Sequence, residues 1–266
     1  MTINLYHLMA DLEKRGESFA LCTITEAHGS TPRHIGSKMV VFENGEFAGS
    51  VGGGELEHRI LDEAWIALGD GKPRKLSYSM TDPARGDPGV CGGQVEVFVD
   101  PVLPAPKLII IGGGHVGKAV AHLAKWLGFR VAVSDDRIEF CTPEMNPDAD
   151  EFLPIRMEEL PKQTKINRHT YLILTTRGVN VDVPGLPALL ETSAAYIGVI
   201  GSRRRWTTTI KSLKESGISE EAIARIHSPI GLELQAETPE EIAVSIMAEI
   251  IMLRNKATGK MMKSPD

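Results

Sequence analysis

Four short glycine runs hold most of the chemistry open to this 266-residue sequence. They are Gly49-Ser50-Val51-Gly52-Gly53-Gly54-Glu55, Val90-Cys91-Gly92-Gly93, Gly112-Gly113-Gly114-His115-Val116-Gly117 and Ile200-Gly201-Ser202-Arg203. Each falls where a strand should end. Glycine lacks a Cβ, so such runs bring backbone N–H groups close to a ligand, and a phosphate or similar polar cofactor group suits them. Cys91 is the only cysteine beside glycines. Its thiolate could be stabilised by neighbouring amides or by Arg85, and sulfur is a fitting ligand for a soft metal centre. A lone cysteine at a strand start serves equally well as a small buried hydrophobe. Both readings stand. Arg33 and Lys38 are candidate anion contacts, and Glu55 and Glu57 are candidate supports of the triple-glycine loop.

Gly112-x-Gly114-x-x-Gly117 directly follows the apolar Leu108-Ile109-Ile110-Ile111 and opens a helix, the context that lifts this motif above chance. The first glycine makes the turn, the second clears space for pyrophosphate, and the third packs helix on strand. Asp135 closes the next strand, near the ~20-residue offset at which an acid bonds a ribose hydroxyl. A Rossmann fold is therefore expected, but NAD(P) does not follow from it, because a fold does not fix its ligand. His115 either bonds a ligand phosphate or caps the turn. Gly201, Ser202 and Arg203 open a second strand-to-helix corner, where amides, a hydroxyl and guanidinium forks suit a phosphate. Three arginines at a helix N-terminus oppose the macrodipole, and a bound anion would account for them. His169 and His227 read as ordinary surface or loop histidines.

The elements that must position these groups divide into two patterns. Leu5, Leu8, Met9 and Leu12 have helical spacing. Strands are expected at 19–25, 39–42 and 46–51, the last two joined through the hairpin signal Asn44-Gly45. Leu56, Ile60, Leu61, Ala64, Trp65 and Leu68 line one face of a helix that Gly69-Asp70-Gly71 stops. Further strands are expected at 76–80 and around Val95, Val97 and Val99, with a long loop at 81–89 between them. Pro101-Val102-Leu103-Pro104-Ala105-Pro106 is the linker candidate, since three prolines suit neither a helix nor a central strand. From Lys107 onward, strands at 108–111, 129–134, 171–175 and 197–200 alternate with helices, the mark of a parallel sheet. Thr238-Pro239-Glu240-Glu241 fits a capping box. The expected fold class is α/β: a mixed α+β domain over 1–103, then a Rossmann-like domain over 107–266.

Composition narrows the field. A net charge of −6 argues against a general nucleic-acid binder, which needs an extended basic face. No apolar run approaches the ~20 residues that span a bilayer. Three widely spaced cysteines make neither a disulfide framework nor a zinc site. A cytoplasmic location is expected.

His28-Gly29-Ser30-Thr31-Pro32-Arg33, Gly36-Ser37-Lys38-Met39, the triple-glycine run, Cys91-Gly92-Gly93, the Gly112 loop and Ile200-Gly201-Ser202-Arg203 form an ordered set. With Pro229-Ile230-Gly231-Leu232 and the terminal Thr238-Pro239-Glu240-Glu241, they make the chain resemble the XdhC/CoxI family over nearly its whole length. That resemblance implies an accessory factor that binds molybdenum cofactor, as molybdopterin or its dinucleotide form, and delivers it to a xanthine dehydrogenase-type molybdenum hydroxylase. It implies a cofactor chaperone rather than a catalyst, with no catalytic residue. The candidate cofactor contacts are Arg33, Gly52, Gly53, Gly54, Cys91, Gly92 and Gly93 in the first half. In the second they are Gly112, Gly114, His115, Gly117, Asp135, Gly201, Ser202 and Arg203. Cys91 is the candidate thiol beside the molybdenum. A homodimer and docking of a cysteine desulfurase fit the same picture. Two departures stand out: Gly54 sits where some members carry cysteine, and the segment 175–182 lacks the histidine often found there, leaving Asp182 as a candidate polar contact. The competing expectations are an NAD(P)-dependent oxidoreductase and a nucleotide-sensing interaction module.

Overall fold

The computed structural model describes residues 4–81, 87–89 and 91–263. The chain forms two compact units, 1–104 and 105–266.

The first unit is an antiparallel sheet of order β3-β2-β1-β5-β4. Its strands are β1 (Phe19–His28), β2 (Lys38–Phe42), β3 (Phe47–Gly49), β4 (Arg74–Ser79) and β5 (Gln94–Val102). Side chains alternate across β1, so its two faces build two cores. Ala20, Cys22 and Ile24 meet Leu56, Ile60 and Ala64 of α2 (Gly54–Asp70) on one side. Phe19 and Leu21 meet Leu5, Leu8 and Leu12 of α1 (Leu5–Lys14) on the other. Gly71 ends α2 in the left-handed conformation that glycine adopts freely.

Two expectations change here. Pro101 and Val102 belong to β5 rather than to a linker, pairing with Ala20 and Phe19. The β4 ladder stops at Val99, so beyond it one side of β5 carries no strand partner among the described residues, and an edge of that kind tolerates proline. Trp65 is half exposed rather than in the α2 core face. Its ring covers the hairpin turn, where a Cβ added to Gly45 would fall 2.6 Å from it.

The second unit is an all-parallel sheet of order β11-β10-β9-β6-β7-β8. It comprises β6 (Lys107–Ile111), β7 (Arg130–Ser134), β8 (Glu151–Leu153), β9 (Thr170–Leu174), β10 (Tyr196–Val199) and β11 (Ile226–His227). In chain order this is the doubly wound Rossmann arrangement, which reverses direction between β6 and β9. One face packs on α3 (His115–Trp126) and α8 (Pro239–Arg254). The other packs on α4 (Leu160–Gln163), α5 (Val179–Leu190), α6 (Arg203–Glu215) and α7 (Glu220–Ile223). The α8 capping box is formed on both sides by Thr238 and Glu241. Helix α5 was not legible, because Pro184 and Pro187 lie inside it.

His227 is more than a surface residue. Its ring lies 4.6 Å from that of Tyr196, and its Nδ1 is 3.2 Å from the Glu249 carboxylate. Glu249 also accepts hydrogen bonds from the Tyr196 hydroxyl at 2.7 Å and the Gly231 amide at 2.5 Å. Burial alone would push the Glu249 carboxyl up, but the bonds from His227, Tyr196 and Gly231 outweigh it and hold the group below its ordinary 4.5. A carboxylate with a lowered folded value adds stability at pH above its ordinary value and loses it as pH falls through the folded one. Glu249→Gln should therefore flatten the acid limb of a melting temperature versus pH curve, leaving the neutral region lower than wild type.

Candidate functional site

In the first unit the antiparallel register places three connections at one end of the sheet. They are the 29–37 segment after β1, the 50–53 segment after β3, and the described residues 80–81, 87–89 and 91–93 before β5. These carry the sequence motifs of that half, and they knit to one another. A Cβ on Gly93 would fall 2.3 Å from the Ser30 carbonyl oxygen and 2.8 Å from that of His28, so only glycine lets these backbones approach. Arg33 Nε reaches Ser50 Oγ at 3.4 Å. Pro32 lies against Gly52, where an added Cβ would meet it at 3.2 Å.

Glu57, in the first turn of α2, holds the triple-glycine loop. Its Oε1 accepts from Ser50 Oγ at 2.6 Å, Val51 N at 3.1 Å and Gly52 N at 3.2 Å. Glu55 is instead paired with Arg59 at 2.9 Å. Glu57→Ala should destabilise the first unit by ~1–3 kcal/mol, the cost of leaving half-buried donors without their charged acceptor. Urea denaturation would record this as a lower midpoint. Gly53, Gly54 and Gly92 all have positive φ (96°, 60° and 78°) with open space where a Cβ would point. All three glycines are exposed, as are Cys91 and Arg33, and the Gly92 amide donates to the Met80 carbonyl at 2.7 Å. Lys38 turns its amine to the Gly36 carbonyl at 3.2 Å. Arg85, the expected thiolate partner, lies outside the described residues.

In the second unit the corresponding edge is the C-terminal end of the parallel strands, where ligands of such sheets bind. The glycine loop is drawn tight: a Cβ on Gly117 would fall 2.0 Å from the Gly112 carbonyl oxygen, which accepts from Thr175 Oγ1 at 2.6 Å. Gly114 faces open space ahead of α3, and His115 is exposed as the first helical residue. Asp135 is buried, and the chain itself occupies it. Its carboxylate accepts from Gly113 N, Arg137 N and Arg137 Nε, each at 3.0 Å, and from Arg137 Nη2 at 2.9 Å.

A cavity of about 250 Å³ opens beside Gly112 and Asp135. Asp136, Arg137, Arg156, Glu158 and Arg177 supply its charged walls. Asp136 and Arg177 form a bidentate pair at 2.8 Å for both bonds, which holds the Asp136 carboxyl below its ordinary range. Sequence reasoning missed this pair. Both residues follow strand ends, but only the strand order shows that those ends flank β6.

The arginine corner also divides differently. Ser202 caps α6 through the Arg205 amide at 3.2 Å, and Arg203 and Arg204 are exposed. Arg205 turns inward to the fully buried Asp182, with Nη2 at 2.6 Å and Nε at 3.2 Å, and to the Thr176 carbonyl at 3.1 Å. Asp182 thus serves the core of this corner and not an outward contact, and it supplies part of the compensation that the cationic helix start requires.

The fold and its loops define a two-unit protein in which an antiparallel glycine-looped sheet precedes a Rossmann domain. The chain belongs to the XdhC and CoxI family: residues 108–250 match the XdhC Rossmann domain and residues 12–79 the XdhC and CoxI family. The resemblance read from the motif order is borne out, as is the expected fold class. Among relatives, the uncharacterized protein YqeB of Escherichia coli K12 is 35% identical over 99% of this chain and 48% of its own length. A probable xanthine dehydrogenase subunit of Bacillus subtilis 168 is 33% identical over 60% of this chain and 47% of its own. The molybdenum cofactor insertion chaperone PaoD of Escherichia coli K12 is 26% identical over 90% and 84%. The chain spans about half the length of the first two of these. A crystal structure described as a xanthine dehydrogenase from Bacillus halodurans shares the fold, with a TM-score of 0.51 and 23% identity over 99% of this chain and 98% of that one. Among the described residues no helix is long and apolar enough to cross a membrane.

Proposed function

We propose that this protein binds molybdenum cofactor and hands it to a xanthine dehydrogenase-type molybdenum hydroxylase in the cytoplasm. The observation that carries this reading is the convergence of three glycine-bearing loops at one end of the first unit's sheet, with Cys91 and Arg33 exposed among them. The names of PaoD and of the Bacillus subtilis relative support it.

The residues fit the group. Among the described residues no set of three or more His, Cys, Asp or Glu side chains could hold a bare metal ion. Molybdenum cofactor brings its own dithiolene sulfurs, so one added thiol would complete a soft contact, and the exposed Cys91 is the residue proposed to give it. The exposed Gly53 and Gly54 are the proposed backbone contacts for a pterin edge, with Gly52, Gly92 and Gly93 shaping the loops beside them through bonds to Glu57 and Met80, and Arg33 offers charge to an anionic substituent. When bound, the group supplies an oxophilic metal centre destined for the client enzyme. In the second unit, Gly112, Gly114, His115, Gly117, Gly201, Ser202 and Arg203 form the proposed contacts for a nucleotide, whether part of a dinucleotide cofactor or NAD(P), while Asp135, its oxygens filled by Gly113 and Arg137, shapes the loop beside them.

The deciding experiment mixes an apo molybdenum hydroxylase with free cofactor, with and without this protein. Faster or fuller activation in its presence is expected. Equal maturation in its absence removes the proposal.

A further inference from the structure

We infer that the cavity beneath the Asp136–Arg177 pair is a subsite for a nucleoside whose ribose carries a phosphate monoester, with Arg177 as the cation that receives the phosphate. This deepens the proposal that the second unit takes a nucleotide, and it does not depend on molybdenum.

The cavity lies at the ends of β6, β7 and β9, beside the reversal of strand order, where a doubly wound sheet receives the nucleoside next to its glycine loop. Its ~250 Å³ falls just below the roughly 300–1,000 Å³ of drug-sized pockets. That admits a nucleoside rather than a whole dinucleotide, the remainder running out along the glycine loop.

The acceptors decide what kind of nucleoside. A free ribose diol is held by an acid at the end of the second strand, and an arginine nearby instead accommodates a ribose phosphate. Asp135 occupies that place with four donors on its two oxygens, about as many as a carboxylate accepts. It has no capacity left for a diol. Asp136 follows, but each of its oxygens already accepts one bond of the Arg177 fork, so a diol would have to share it with that guanidinium. A phosphate monoester solves the problem differently. It presents the same paired oxygens as a carboxylate, with more charge, and replaces Asp136 as the partner of Arg177.

The surrounding cations favour the exchange. Arg137 keeps one guanidinium nitrogen outside its Asp135 fork and rests 3.9 Å above the Phe140 ring. Arg156 is three-quarters exposed and among the described residues meets Glu158 only at 3.8 Å. Three guanidinium groups thus line one small cavity, facing the carboxylates of Asp135, Asp136 and Glu158, of which Asp135 is already filled by Gly113 and Arg137. The opposing effect is repulsion from Asp136 once Arg177 leaves it, which gives the inference a sign that a ribose-binding acid would not share.

Isothermal titration of the full chain with NADP+ and NAD+, which differ by one ribose phosphate, tests this. At low ionic strength NADP+ should bind about tenfold or more tightly than NAD+, the worth of one charge-assisted contact. Arg177→Gln should abolish the preference. Asp136→Asn, which frees Arg177 and removes the repulsion, should tighten NADP+ severalfold. Equal affinities, no binding of either at millimolar concentration, or weaker NADP+ binding in Asp136→Asn would each overturn the inference. Molybdenum carried by protein from a cofactor-producing host is the separate readout. Normal loading beside a failed NADP+ arm rejects this subsite alone, while lost loading with NADP+ selectivity intact rejects only the chaperone reading.

Discussion

Cys91→Ala is expected to lower the molybdenum and pterin that co-purify with the protein by on the order of tenfold or more, the scale on which metal sites respond to a lost contact. The other two cysteines cannot stand in. Cys22 lies in the first unit's core, where burial pushes its thiol up to about 12. It stays protonated at neutral pH, and the thiolate is the form that ligates metal. Cys141 is buried as well, its thiol is raised by desolvation, and it donates to the Val133 carbonyl at 3.1 Å. Cys91 is the exposed one and precedes Gly92, where an added Cβ would meet open space. Because Cys91 packs no core, the substitution should leave circular dichroism and melting temperature close to wild type, so a lost load reports the site and not the fold. Cys141→Ser is the matched control, expected to keep its molybdenum. Metal analysis of both variants beside wild type settles the matter, and a Cys91→Ala protein with a full load would remove the thiol from the site.

The glycine runs were legible because their meaning is local. A run such as Gly112-Gly113-Gly114 after four apolar residues needs no tertiary knowledge to be read as a strand end meeting a helix. The convergence of the 29–37 and 50–53 segments with the described residues before β5 is legible only as motif order, since it arises from antiparallel register. The side chains that complete each loop depend on partners far away in sequence. Asp135 sits where an unpaired acid was expected, but Arg137 two residues on folds back over it. Arg177 meets Asp136 across 41 residues. Pro101 reads as linker because proline argues against a central strand, and nothing in the sequence announces that β4 ends before it. Pro184 and Pro187 hid α5 for a similar reason. There Gly185 lies against Met157, a Cβ in its place falling 2.4 Å from the sulfur, and tertiary packing overrides a poor local signal.

Arg205→Ala is expected to destabilise the second unit by about 3–5 kcal/mol, the usual cost of stripping the partner from a buried ion. The Asp182 side chain is wholly inaccessible and is met by two Arg205 nitrogens and the Thr176 hydroxyl. Removing the guanidinium would leave a carboxylate in the interior with one neutral donor. Arg205→Lys should recover only part of the loss, because a single ammonium cannot reproduce a fork that also bonds the Thr176 carbonyl and hydroxyl. Urea denaturation followed by circular dichroism would show the second unit's transition moving to lower urea, with the first unit's transition unmoved. The result also bears on function. If Arg205→Ala unfolds like wild type, the ion pair does not anchor the start of α6. If it unfolds early, Arg205 is structural, and Arg203 and Arg204 alone remain to face a phosphate at that corner.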